Sequence, residues 1–284
     1  MQSRIGLIGQ GWIGKNYADD FERRGYDVVR YALEEPYAAN KEKIAECDIV
    51  FIAVPTPTTS AGFDDSILVK VFPIVGTGKI AVIKSTIVPG TTERLQKKFP
   101  ELLILHAPEF LREASAARDA SEPARNLIGI PLDSDAYRSA AEQVLAVLPE
   151  APYTQILSSR EAELVKYAGN VFLMMKVLYA NMLYDLAAGM GTDYEKIRDA
   201  VAADPRIGPS HLSPIDASGH TDKAGRGAGG HCFIKDFEAY RRLYRDVVHD
   251  PAGDAVLTAL VEKNVDLLTA SGKDVELLRL VYGE

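Results

Sequence analysis

Only two cysteines, Cys47 and Cys232, occur in the 284 residues. Two are too few for a disulfide framework, so a reducing cytosol is the expected setting. No unbroken apolar run approaches the roughly 18–20 residues of a membrane span, and no membrane partner is expected. The opening stretch MQSRIGLIG runs straight into a strand-like pattern and carries no signal or transit features. An excess of basic residues is missing as well: 32 Lys and Arg stand against 40 Asp and Glu, a net charge of −8. That balance, without a basic cluster, excludes nucleic acid as the main partner. Repeats and low-complexity tracts are absent, and 47% hydrophobic with 25% charged residues is the mix of a folded chain rather than a disordered one. The length suits one large or two modest domains.

What the first half does contain is a βαβα rhythm. Strands are expected at 4–9, 26–31, 48–54, 79–84, 102–105 and 127–130, with helices at 12–24, 90–98 and 135–148. This alternation predicts an α/β fold with a doubly wound, mostly parallel sheet of the Rossmann type. After Pro152 the rhythm changes. Over 159–189, Leu164, Ala168, Val171, Phe172, Met175, Leu178, Tyr179, Met182 and Leu186 recur at steps of three and four. A helix of that length spans about 45 Å, more than a small domain needs, which suggests a connector of domains or subunits. Further helices are expected at 193–202, 233–247 and 252–270, and a loop at 204–230. The chain therefore divides into a nucleotide-binding domain, 1–150, and a helical domain, 151–284.

Gly9-Gln10-Gly11-Trp12-Ile13-Gly14 matches GxGxxG at the first strand-to-helix turn. The first glycine permits the turn, the second admits a pyrophosphate to the backbone, and the third lets helix and strand pack closely. The helix N-terminus adds unpaired N–H donors. NAD is the expected cofactor. The usual acid at the end of the second strand is missing, because Arg30-Tyr31-Ala32-Leu33 stands there. Glu34 is placed to reach back to the ribose, while Arg30 leaves NADP open through its 2′-phosphate.

The second motif is Gly225-Arg226-Gly227-Ala228-Gly229-Gly230-His231-Cys232-Phe233-Ile234-Lys235-Asp236. Glycines open the approach to a cysteine at the mouth of a helix, where the helix terminus and a nearby lysine favour the thiolate. Asp236, four residues on, shares its helical face. Cys47 reads as a buried apolar residue. His211, His220, His231 and Cys232 fit no zinc-ligand spacing, so no metal is expected. The cations at 241–245 alternate with acids and read as a solvated helix face.

Together these stretches resemble the UDP-glucose/GDP-mannose dehydrogenase family. Gly229–Asp236 is similar to its GG-x-C-F-x-K-D signature, and Val54-Pro55-Thr56-Pro57 to its VPTP turn. Residues 84–92, KSTIVPGTT, resemble its KST…PGTT segment. Pro108-Glu109-Phe110-Leu111-Arg112-Glu113 resembles PEFLRE, and residues 163–170, ELVKYAGN, resemble its E-L-x-K-Y-x-x-N helix. The resemblance implies a Rossmann domain, a helical domain whose long helix forms a homodimer, and NAD-dependent oxidation of a sugar-nucleotide primary alcohol to a carboxylate in two hydride transfers. It also implies the residue roles. Cys232 would be the nucleophile of a thiohemiacetal and thioester, and Lys166 and Asn170 would hold the oxyanion. Asp236 and Thr86 would position a water, and Glu113 would assist thioester hydrolysis. Gly9, Gly11, Trp12, Ile13, Gly14, Val54, Pro55, Thr56, Ser85, Thr86 and Lys235 would face the cofactor. Glu109, Phe110, Leu111, Arg112, Gly229 and Gly230 would face the small-molecule substrate.

The spacing agrees with these roles. Lys166/Asn170, Glu109/Glu113 and Cys232/Asp236 are each four apart and share a face wherever the backbone is helical. A cation with an amide suits an oxyanion site, and a carboxylate beside it suits a general base. The pattern departs from the family after the second domain. The family's third, nucleotide-gripping region has no counterpart before Glu284. A smaller substrate, the cations Arg206, His211, Lys223 and Arg226, or a partner chain would each account for that. A two-electron NAD(P)-dependent dehydrogenase of a small hydroxy compound and a non-catalytic NAD-binding subunit stand as the alternatives.

Overall fold

The computed structural model describes residues 2–112 and 115–283. Its contacts divide the chain into two compact units, Met1–Pro57 with Asp64–Lys166, and Thr58–Phe63 with Tyr167–Glu284.

The first unit is built on seven strands: β1 (Ile5–Ile8), β2 (Val28–Tyr31), β3 (Ile49–Ile52), β4 (Ile80–Ile83), β5 (Leu103–His106), β6 (Asn126–Ile130) and β7 (Thr154–Ser158). Their order is β2-β1-β3-β4-β5-β6-β7. All pairs are parallel except β5 with β6, which meet antiparallel at His106 and Gly129. β1, β3 and β4 are buried along their whole length. A parallel sheet covered on both faces has no polar side, which is why these strands read as unbroken apolar runs. β1 lies between β2 and β3, so the chain leaves β1 in one direction and returns on its other side. In such sheets the crevice at the carboxyl ends of these strands is where ligands bind. β7 was not expected. It is an edge strand, and none of its residues is buried, so it carries no hydrophobic pattern to betray it.

Helices α1 (Trp12–Arg23), α2 (Ser66–Val71), α3 (Thr91–Lys98), α4 (Ala116–Ser121) and α5 (Asp135–Val147) complete the unit. α1 turns Tyr17, Ala18 and Phe21 inward, and the Phe21 ring meets Phe51 of β3 at 5.1 Å. α2 and α4 are six residues each, too short for a helical period to show in the sequence.

α6 (Ser159–Gly189) begins in the first unit and runs on into the second, which adds α7 (Tyr194–Ala202), α8 (Gly230–Val248), α9 (Pro251–Ser271) and α10 (Val275–Tyr282). Val171, Met174 and Leu178 of α6 form a core with Phe237 of α8 and Leu257 and Leu267 of α9. α10 packs Leu277, Leu278 and Val281 against Ile234 of α8 and Leu268 of α9. The expected loop over 204–230 contains a short antiparallel ladder, Ile215–Asp216 with Gly225–Arg226.

The apolar stripe expected on α6 splits in two. Val171 and Leu178 are buried, whereas Phe172, Met175, Tyr179, Met182 and Leu186 are exposed. Among the described residues α6 is the one helix long and apolar enough to cross a membrane, with a mean hydropathy of 1.3 over its best 18-residue window. A search for unbroken apolar runs misses it, because isolated polar residues interrupt the stretch. Its inner face is instead the core of the second unit.

Candidate active site

The site of the first unit starts at the β1–α1 turn. Gly9 has φ +91°, and a Cβ there would lie 2.2 Å from the Ala53 carbonyl oxygen. A Cβ at Gly14 would lie 1.9 Å from the Gly9 oxygen. Only glycine fits either place. At Gly11 nothing lies within 4 Å of the position a Cβ would take. Gly11 is also the N-cap of α1 and offers no side-chain cap. The open space beside Gly11 thus lies at the positive end of a helix, and this first turn, with Trp12 and Ile13, fits the diphosphate of a dinucleotide.

Two loops at the carboxyl ends of β3 and β4 are tied together beside this turn. The Ser85 hydroxyl donates to the Val54 carbonyl at 2.7 Å and accepts from the Val54 N–H at 3.0 Å. The Thr56 hydroxyl donates to the Thr86 carbonyl at 2.7 Å. Val54, Pro55, Thr56, Ser85 and Thr86 therefore form one cross-braced rim rather than five independent contacts. In the same unit Glu163 is fully buried and accepts from the Gly90 N–H at 2.6 Å, the Thr92 N–H at 2.8 Å and the Thr92 hydroxyl at 2.6 Å. It caps α3 from another helix.

Behind the rim lies a run of buried charge. Lys166 donates to Glu109 at 2.8 Å, and the other Glu109 oxygen accepts from the Leu111 N–H at 2.8 Å. Lys84, which opens the KST segment, is 3% exposed. Its ammonium sits 4.2 Å from the centre of the Tyr17 ring. Burial pushes its pKa down to about 7; Glu109 opposes that and Lys166 reinforces it. His106 is pushed down to about 3 by burial and by Lys84, and so is neutral. Lys84, Tyr17, Phe110, Arg112 and Arg125 line a cavity of about 240 Å³. A lysine in an otherwise apolar KST-type strand end is the sequence signal that would have found this cluster.

In the second unit Cys232 lies in the first turn of α8 and is exposed. The N-cap of α8 is Gly229, which offers no side-chain cap. Asp236, one turn on, is fully buried. It accepts from the Asn170 amide at 2.6 Å and pairs with Lys235. The thiol and a held carboxylate therefore share one helix end, as the spacing predicts. Gly229 and Gly230 lie against Asp274: a Cβ on Gly229 would come within 2.0 Å of Asp274 Oδ2, and the Gly230 N–H donates to that oxygen at 2.8 Å.

Several expectations change. Glu113 lies outside the described residues. Residues 109–112 are irregular rather than helical, so Glu109 lies on no helical face. Arg112 is turned to Asp119, with two side-chain bonds at 3.0 and 2.6 Å. Arg30, the residue that left NADP open, is only 9% exposed and spent on Asp19 and Glu22 of α1, each at 2.6 Å. Three of the four expected gripping residues are engaged, Arg206 with Asp204, Lys223 with the Gly272 carbonyl, and Arg226 with Asn181 and Asp185, while His211 sets its ring edge-on to Phe233.

Residues 34–146 match the NAD binding domain of the UDP-glucose/GDP-mannose dehydrogenase family, and residues 160–265 match its central domain. The chain belongs to this family. Membership implies NAD as the cofactor, in line with the committed Arg30. UDP-glucose 6-dehydrogenase AglM of Haloferax volcanii is 28% identical over 98% of this chain and 76% of its own length. UDP-glucose 6-dehydrogenase of Rhizobium meliloti is 31% identical over 87% of this chain and 64% of its own. The solved UDP-glucose dehydrogenase of Pyrobaculum islandicum superimposes with a TM-score of 0.77, at 29% identity, covering 92% of this chain and 68% of that one. The chain thus spans only part of each family relative named here.

Proposed function

We propose that the protein oxidises a primary alcohol of a sugar-nucleotide-type substrate to the carboxylate through a covalent intermediate on Cys232. The observation that carries this reading is the exposed thiol in the first turn of α8, with Asp236 one turn on, held by Asn170 and Lys235. NAD would supply the hydride acceptor, one molecule for each of the two transfers. The glycine turn and the Val54–Thr86 rim hold that cofactor, with Lys235 close to it.

The helix terminus favours the Cys232 thiolate, which adds to the carbonyl carbon of the intermediate aldehyde as a thiohemiacetal. Loss of a second hydride leaves a thioester on the same sulfur, and water releases the acid and regenerates the thiol. Lys166 and Asn170 hold the negative oxygen that develops as sulfur adds. Asp236 and Thr86 position a water that relays protons, with the Asp236 carboxylate as the acceptor. Glu113 assists the final hydrolysis. Glu109, Phe110, Leu111, Arg112, Gly229 and Gly230 bind substrate.

The outward apolar face of α6, from Phe172 to Leu186, supports a homodimer in the cytoplasm. Sedimentation at micromolar concentration then gives twice the chain mass. For the chemistry, the decisive measurement is NADH formed per molecule consumed when the native protein turns over UDP- and GDP-sugars. Two NADH and an acid are expected. Cys232→Ser is expected to stop short of the acid. Full acid formation by that variant, or one NADH with an aldehyde or ketone product from the native chain, would remove the covalent step.

A further inference from the structure

We infer that His220, Asp274 and Glu276 form a binding site for one divalent transition-metal ion of the zinc class. One ligand atom from each lies within 4.8 Å of the other two. The His220 Nε2 is already 2.8 Å from Glu276 Oε1. An imidazole with two carboxylates is a donor set that suits zinc and its neighbours, and the imidazole argues against calcium or magnesium.

Asp274 supplies the independent observation. It is 2% exposed, and its Oδ1 has no hydrogen-bond partner. A buried carboxylate oxygen left unpaired is costly and calls for a missing cation or donor. Asp274 precedes α10, where an aspartate would ordinarily cap the helix. Here it makes no cap bond and takes a left-handed conformation, φ 51°. Its Oδ2 accepts from the Gly230 N–H at 2.8 Å. That is the kind of outer bond that orients a metal-ligating carboxylate.

The surroundings fit a cation. Lys273 acts on Asp274 and Arg279 on Glu276, but the Lys273 ammonium is turned to the carbonyls of Gly225 and Gly227 at 3.4 and 3.0 Å. The His231 ring stands edge-on to His220, with centroids 4.4 Å apart. Glu276 is exposed, which leaves solvent access for a remaining coordination position. A metal here would pin the start of α10 to the loop at His220, beside the Asp274 contact with Gly230, two positions before Cys232. The inference goes beyond the proposed reaction and does not depend on it.

The test is titration of metal-stripped full chain with Co2+, read by its visible ligand-field absorption and competed with Zn2+. One saturable equivalent is expected. His220→Ala and the exposed, fold-neutral Glu276→Gln, both checked by circular dichroism, are each expected to weaken binding about tenfold or more. Zn2+ is expected to raise the Tm of the native chain and not of His220→Ala. Cys232→Ser is expected to keep the site. No saturable binding, equal binding by the native chain and Glu276→Gln, or loss of binding in Cys232→Ser would each overturn the assignment, the last by naming the thiol as the ligand.

Discussion

Glu109 and Lys166 meet at 2.8 Å with side chains only 3% and 6% exposed. One comes from the irregular segment after β5 and the other from the first turns of α6, 57 residues apart. Removing one member of such a pair strands the other charge without water, whereas removing both relieves the desolvation of each.

Glu109→Gln and Lys166→Met are therefore each expected to lower the unfolding free energy by about 3–5 kcal/mol. The double variant is expected to lose clearly less than the sum, since the two residues touch. Urea denaturation of the four proteins reads this directly. Additive losses would show that the pair does not act as a unit.

Glu163 gives a second, more local expectation. Its carboxylate serves two backbone N–H groups and one hydroxyl at the start of α3. Glu163→Gln keeps the shape but has one acceptor oxygen in place of two. A cost of about 1–3 kcal/mol is expected, the penalty for leaving a buried donor unserved. Amide exchange at Thr92 should quicken more than exchange in β1. Uniform acceleration across the sheet would mean that the cap is not specific to α3.

The difference between what sequence shows and hides is visible in these residues. β1, β3 and β4 were legible because burial on both faces leaves an apolar run, and the β1–α1 turn because three glycines have steric reasons to be there. β7 was hidden because an edge strand with no buried residue carries no pattern. On α6 the period was legible, but which face turns inward was not, because two apolar stripes run side by side and only the neighbours choose between them. The Cys232–Asp236 spacing survived because α8 is regular. No helical face runs through Glu109, because residues 109–112 are irregular. Asp274 was not legible, because a charge is marked as unusual only by its burial, which a sequence does not state.

Lys84 yields a pH dependence whose sign can be worked out. Its folded pKa is depressed to about 7 from the ordinary lysine value of 10.5. Below 7 both folded and unfolded chains carry the charge, so the full penalty of burying it is present. Between 7 and 10.5 the folded chain has given up the proton and the unfolded chain still binds it. The unfolded state then holds more protons, and the free energy of unfolding from this group rises with pH. Lys84→Met removes the group. Its Tm relative to the native chain is therefore expected to be most favourable at about pH 6 and to fall progressively towards about pH 9. Calorimetric scans of both proteins in matched buffers measure it. A Tm difference that stays constant across that interval would mean that Lys84 keeps its proton in the folded chain, with Glu109 outweighing burial and Lys166.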